Sequence, residues 1–445
     1  MREIKKKKIV KAIIGIFSII LIFSVCFYIS VKDKQENISI EKTKDNRAMA
    51  FYIEKNGEYE PTNTFPTSGY KLNEEKSVCS NGAKLSMTSP NSLNIANLDG
   101  STKCYLYFDK LNGLILTDEI KKQSKGEYTE FAGIATEADT GVYSAPDDYG
   151  TSYYFRGVED KLNNWVEFAG FYWRIIRING NGTVRMIYQG EANGAVSNSN
   201  KTGASTQIGT YEYNTSVNDN TYVGYMISLN SNGNSSSYSG AHSNLYDSNA
   251  KVEIDKWYQN NIANNTEYSK YTDINTGFCN DRELSKGIYS YSGDGYSTQN
   301  SAYSPVGRLR WASSWKTIQT PMFQCSNKSR DLFTVSSANI GNKKLAYPVG
   351  LITSDEVIFG GAFSGNSNYN GTYYLYTNQD YWTMSPRSAG ENNVVVFGVS
   401  PHGALGDYYS DIVNIPNCLR PVINLRADVF FSGDGSEANP YKIVE

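Results

Sequence analysis

The sequence predicts an α+β fold class: an N-terminal transmembrane helix, a small β-rich module, and a larger domain of antiparallel strands with few helices and long loops. Three observations predict it. An uncharged apolar run, Ala12 to Val31, follows Lys5, Lys6, Lys7, Lys8 and Lys11. Short alternating stretches separated by Gly and Pro fill Ala48 to Lys110. The long remainder, rich in Tyr, Asn, Ser and Gly, carries one clear hairpin signal and one good helical pattern.

The apolar run comes first. Its twenty residues reach about 30 Å as a helix, the hydrocarbon thickness of a bilayer. Because the lysines precede it, residues 1–11 read as a cytoplasmic basic tail and 12–31 as a membrane anchor, with the rest outside. The expected localisation is therefore the cell membrane, single-pass, with the C-terminal domain extracellular. A cleaved signal peptide is the competing reading. Against it, Ser24-Val25-Cys26-Phe27-Tyr28 offers no small-x-small cleavage site, and Val25 is a poor neighbour for a lipidated Cys26.

Charge narrows the partners. Met1 to Lys11 carries +5 of a chain whose net charge is −3, leaving about −8 for the remainder. A mildly acidic remainder with no basic stripe argues against nucleic acid. The 35 tyrosines fit half-buried strands and equally fit a surface that contacts sugars or proteins through rigid rings and hydroxyls.

Residues 32–47 are charged and polar and read as a stalk. Residues 48–110 read as a small β module. With an outside location, the sequence-near pairs Cys79–Cys104 and Cys279–Cys325 are the natural disulfides. No cysteine spacing resembles a CxxC metal clamp, and no metal or cofactor is expected. Cys418, in an apolar run, reads as a buried thiol. Residues 111–146 read as a linker whose short helix carries Leu114, Ile115 and Ile120.

The large domain is expected over 147–430. Its hairpin pairs Phe171–Ile178 with Thr183–Tyr188 across Asn179-Gly180-Asn181-Gly182, since Asn and Gly tolerate positive φ. Gly190 to Gly240 reads as long loops around a strand at Tyr222–Met226. Asp247 to Ile262 reads as a helix capped by Asp247 or Ser248. Further strands are expected at Leu345–Ile352, Tyr373–Tyr376, Tyr381–Ser385, Val394–Val399 and Leu419–Leu425. Residues 431–445 close the chain with a turn and a strand.

Several phrases occur together: Ser152-Tyr153-Tyr154-Phe155-Arg156-Gly157, Trp173-Arg174-Ile175-Ile176-Arg177-Ile178-Asn179-Gly180, Phe278-Cys279-Asn280-Asp281-Arg282, Tyr347 to Thr353, Tyr381-Trp382-Thr383-Met384-Ser385-Pro386, and Leu419 to Leu425. Together they resemble an uncharacterised domain of surface proteins of Gram-positive gut bacteria. The resemblance covers roughly residues 147 to 430. It implies a C-type-lectin-like fold, distantly similar to the formylglycine-generating fold of sulfatase-modifying proteins. Trp382, Ser385, Pro386, Arg420 and Pro421 match its structural positions, and Trp173 and Trp257 read as core. The chain lacks the Glu-Pro-Asn, Gln-Pro-Asp and Trp-Asn-Asp phrases of calcium-dependent lectins. It also lacks the reactive cysteine pair of formylglycine chemistry.

Catalytic constellations are sparse. Only His242 and His402 are present. His402, Cys418 and Arg420 supply the residue types of a sortase-like site, in the right order but at the wrong spacing. Asp147-Asp148 and Asp355-Glu356 are adjacent acids that read as solvated loop or helix-cap residues rather than a glycosidase pair. Ser432 to Glu437 offers oxygen ligands for calcium but reads as a turn. The candidate binding surface is the stretch Asn366 to Asp380. There Tyr369, Tyr373, Tyr374 and Tyr376 can stack on sugars, and Asn368, Asn370 and Asn378 can hydrogen-bond. The expected protein is a surface-anchored, non-enzymatic adhesion protein for a glycan or protein ligand on a host or neighbouring cell. A structural surface-appendage subunit is the alternative, and a cell-wall-acting enzyme comes third.

Overall fold

The computed structural model describes residues 48–66, 69–80, 82–89, 92–96, 102–111, 113–229, 235, 237–286, 300–309, 319–364, 371–390, 392–406 and 411–444. The chain divides into two compact units, Met1–Leu111 and Asn112–Glu445.

In the first unit, strands β1 (Ala48–Lys55), β2 (Glu58–Thr62), β3 (Tyr70–Leu72), β4 (Val78–Cys79) and β7 (Lys103–Lys110) form one sheet. The hairpin of β5 (Lys84–Ser89) and β6 (Ser92–Ala96) stands apart from it. Strand β7 is central: it pairs parallel to β1 and antiparallel to β3 and β4. Its alternation buries Cys104, Leu106 and Phe108, which pack with Phe51 and Leu72. This is the period-two pattern of a sheet with one covered face. Cys79 lies opposite Cys104 in register, and a disulfide closes that pair.

The second unit begins earlier than the expected domain. Residues read as a linker contribute β8 (Leu114–Ile115), helix α1 (Leu116–Lys122), β9 (Ser124–Glu127) and most of β10 (Gly141–Asp147). Leu116 and Ile120 are buried in the main core. The reason is burial: the apolar face of α1 is covered by the large sheet rather than left on a tether. That sheet continues through β11 (Gly150–Arg156), β12 (Trp165–Phe168), β13 (Phe171–Ile178), β14 (Val184–Glu191), β15 (Val349–Gly350), β16 (Val422–Leu425), β17 (Phe430–Ser432) and β18 (Tyr441–Ile443). Its main path runs β15-β16-β14-β13-β12-β18-β17-β8, with β11 also on β13, β10 on β11 and β9 on β10. A second sheet is built on Tyr381–Gly390, flanked by Asn393–Val399, Asn417–Cys418 and Ser301–Ala302, with Thr210–Tyr211 beyond.

The β13–β14 hairpin forms at the Asn-Gly turn. Gly182 takes φ +85°, its N–H donates to the Asn179 carbonyl at 2.8 Å, and Asn179 N–H donates to Thr183 O at 2.9 Å. After Phe171, β13 is buried throughout, as expected for a strand covered on both faces. Trp173 and Trp382 are fully buried, and half-buried Trp257 packs on Trp173 with ring centroids 6.1 Å apart. Burying a large apolar side chain contributes roughly 1.5–3 kcal/mol. The remaining helices include α2 (Asn198–Lys201), α3 (Asn249–Tyr258), α4 (Ser304–Leu309) and α5 (Ser354–Gly360). Ser248 caps α3 by accepting the Lys251 N–H.

Several expectations are corrected. The segment 12–31, its basic tail and its stalk lie outside the described residues. No helix among the described residues is long and apolar enough to cross a membrane. The longest ordinary α-helix among the described residues, α3, has 10 residues, about half of what a span requires. The transmembrane element of the fold class and the single-pass cell-membrane localisation are therefore withdrawn. The described chain is a β-rich α+β protein with few helices. Tyr373–Tyr376 is a turn rather than a strand, and Asn220–Val223 is a 3-10 turn ahead of a two-residue strand. Only Val349–Gly350 of Leu345–Ile352 is a strand.

Candidate functional site

The Tyr- and Asn-rich stretch does not present the surface expected of it. Asn368, Tyr369 and Asn370 lie outside the described residues. Tyr373 and Tyr374 are each 1% exposed. Tyr374 N–H donates to Gly157 O, and Glu159 N–H donates to Thr372 O, which locks this turn onto the end of β11. The Tyr373 hydroxyl donates to Gly403 O at 3.0 Å, and Arg174 lies over the Tyr374 ring. Tyr376 is half-buried against the core, and Asn378 is exposed at φ +56°. Tyr373 and Tyr374 are thus core residues, not ligand contacts.

The adjacent acids read as solvated loop or helix-cap residues are buried, and Glu356 is the capping-box acid of α5. Asp147, Asp148, Asp281, Asp355 and Glu356 surround a cavity of about 20 Å³ together with Arg177, Arg185 and Arg308. Glu356 reaches back to its own helix start, accepting Thr353 N–H at 2.9 Å while Thr353 Oγ1 accepts Glu356 N–H. Burial alone raises a carboxylate, but Arg185 and Arg177 overcome it and hold Glu356 below the usual range. Arg177 also donates to Asp147 at 3.0 Å. Asp148 accepts the Cys325 N–H and pairs with Lys328, so the Cys279–Cys325 disulfide borders the cluster. Asp281 stands at φ +30°, and burial pushes its carboxyl up to about 6, with Arg308 opposing. Perturbed acids in strained backbone often mark function. This cavity, however, has room for about one water, not for a sugar ring between two carboxylates.

The other chemical candidates separate as well. Cys418 is a free, buried thiol, pushed up by burial, which disfavours the thiolate. Arg420 is committed to the Tyr188 carbonyl, Gln189 Oε1 and the Leu375 carbonyl, and His402 is exposed. Arg420 and Pro421 are buried in structural positions. In the Ser432–Glu437 turn, Asp434 accepts the Ser436 N–H at 2.9 Å. No cluster of three or more metal-ligating side chains occurs among the described residues.

A roomier site lies where β14 leaves the large sheet. A polar pocket of about 440 Å³ is lined by Tyr188 and Glu191 from β14, Asn193 and Ala195 from the next loop, Ser197, Ser199 and Asn200 around α2, and Ser205 and Gln207 beyond it. Side-chain hydrogen bonds tie the segments around the pocket together. Ser197 and Asn200 form a capping box at α2. Asn200 Nδ2 donates to Glu191 O at 3.1 Å, and Gln189 Nε2 donates to Asn200 O at 2.6 Å. Gly190, at φ +106°, lets this loop close: a Cβ there would stand 3.0 Å from both Asn200 Nδ2 and Ser205 O. Tyr188 is 4% exposed, its ring packed on Phe171, Trp173 and Trp257. Arg420 grips the Tyr188 carbonyl. Gln207 Oε1 is buried, and the Gln207 side chain hydrogen-bonds the Cys418 thiol.

Such a pocket can bind; it presents hydroxyls and amides on a rigid base, and its volume falls in the ligand-pocket range of about 300–1,000 Å³. The sequence places Tyr188 at the end of a strand and the other lining residues in long loops. The signals available to it were Ser197-Asn198-Ser199-Asn200, which fits a cap, and Gly190 at the end of a strand.

No family model, curated protein or solved structure matches this chain.

Proposed function

We propose that this chain is a non-enzymatic recognition protein that binds a hydroxyl-rich ligand, of the kind a host or neighbouring cell displays as glycan, in the β14–α2 pocket. The observation that carries this reading is the pocket itself. It is large enough for a sugar unit or two, and it is lined by Ser, Asn and Gln side chains. Side-chain hydroxyls and amides both donate and accept, as sugar hydroxyls do. The two disulfides suit work in an oxidising compartment. The C-type-lectin-like resemblance is compatible with this role, although fold alone does not fix function. The test is a glycan and protein array probed with the purified full chain. Selective retention of glycans supports the reading, and retention of protein ligands alone counts against it.

A further inference from the structure

Among the described residues, Glu191 is the one carboxylate lining the β14–α2 pocket, and no basic side chain lines it. Asn193 Nδ2 donates to Glu191 Oε2 at 2.8 Å, a neutral contact that leaves the charge uncompensated. The neighbouring cation, Lys201 at the end of α2, is already occupied by Glu437 and by Asp160. The phenol of Tyr188, at the base of the pocket, is pushed up to about 12 by burial and then by the Glu191 charge.

We infer that the pocket selects an amine-bearing sugar, whose ammonium pairs with Glu191 while its hydroxyls meet the Ser and Asn side chains. Uronic, sulfated and sialylated sugars are repelled by the same carboxylate. The inference rests on the recognition role proposed above and adds the chemical class of ligand. A charge-assisted hydrogen bond is roughly twice as strong as a neutral one, so the ammonium adds selectivity that hydroxyls alone do not.

Calorimetric titration of the full chain at mildly acidic pH, where the sugar amine is protonated, tests this. Trimers of glucosamine, N-acetylglucosamine and glucuronic acid are the probes. The glucosamine trimer should bind at least about tenfold more tightly than its N-acetylated counterpart, as expected for gaining one charge-assisted contact, and the glucuronic acid trimer should bind most weakly. Glu191→Gln should erase the preference while leaving the melting temperature unchanged, because Glu191 is exposed. Equal affinities for the first two trimers would overturn the amine assignment and leave the recognition role standing. The same holds if the preference persists in Glu191→Gln. Absence of binding by all three, to a chain shown to be folded, would overturn both.

Discussion

Arg308 lies flat against Asp355, Nε to Oδ1 and Nη2 to Oδ2 both at 2.7 Å, and its remaining nitrogen, Nη1, stands 2.7 Å from Asp281. One guanidinium thus bridges two buried acids from different segments. Asp355 also accepts the Met322 N–H, so the bridge joins α4, α5 and the Met322 loop. Removing one partner of a buried pair leaves an uncompensated charge and typically costs about 3–5 kcal/mol. Arg308→Met should lower stability by an amount in that range in urea denaturation, and Arg308→Lys should recover only part of it because the fork is lost. A neutral Arg308→Met would show that the bridge is not structural.

Asp281 makes the chain's pH response distinctive. Burial raises its carboxyl from 3.8 to about 6, so the folded state holds this proton more tightly than the unfolded chain. The associated stability is fully present below about pH 4 and is lost as pH rises through about 6, on the order of 3 kcal/mol at most. Wild type should therefore lose stability relative to Asp281→Asn between about pH 4 and pH 7. A difference between the two that stays constant across that window, or has the opposite slope, contradicts the assignment.

Tyr373 and Trp382 belong to the core. Trp382 donates its indole N–H to Tyr211 O at 2.9 Å as well as filling space. Trp382→Ala should cost about 3–5 kcal/mol, and Tyr373→Ala a comparable amount. Thermal melts check both. A Tyr373→Ala protein that melts like wild type would return that ring to the surface.

The cysteines should sort by reactivity. Non-reducing peptide mapping should recover Cys79–Cys104 and Cys279–Cys325, the pairs present in the structure. Cys418 should resist a maleimide until the chain is unfolded, since it is 5% exposed. Replacing Cys279 and Cys325 together with alanine should cost about 2–5 kcal/mol. Labelling of Cys418 at the rate of an exposed thiol would contradict its burial.

What is legible in the sequence is what local chemistry decides. The Asn179–Gly182 turn sets β13 and β14, Ser248 starts α3, and sequence-near cysteines pair. What is hidden depends on partners far along the chain. Tyr373 to Tyr376 alternates like a strand, yet its backbone is captured by Gly157, and the rings go inward. Asp147 and Glu356 look like surface acids until β13 brings Arg177 between them. The pocket is least legible, because Ser and Asn announce a loop without saying which loop closes on which strand. Gly190 permits that closure, and its reason appears only when Asn200 and Ser205 are seen against it.

The central claim is that ligand enters the β14–α2 pocket, and filling the pocket tests it most directly. Ser199 is exposed and lines the pocket, so Ser199→Trp should occupy the space without disturbing the core. Binding of full-length wild type and Ser199→Trp to immobilised glycans, measured beside their melting curves, should show at least a tenfold loss of affinity, or about 1.4 kcal/mol, with no change in melting. Unchanged glycan binding by a folded Ser199→Trp protein would place recognition elsewhere on the chain.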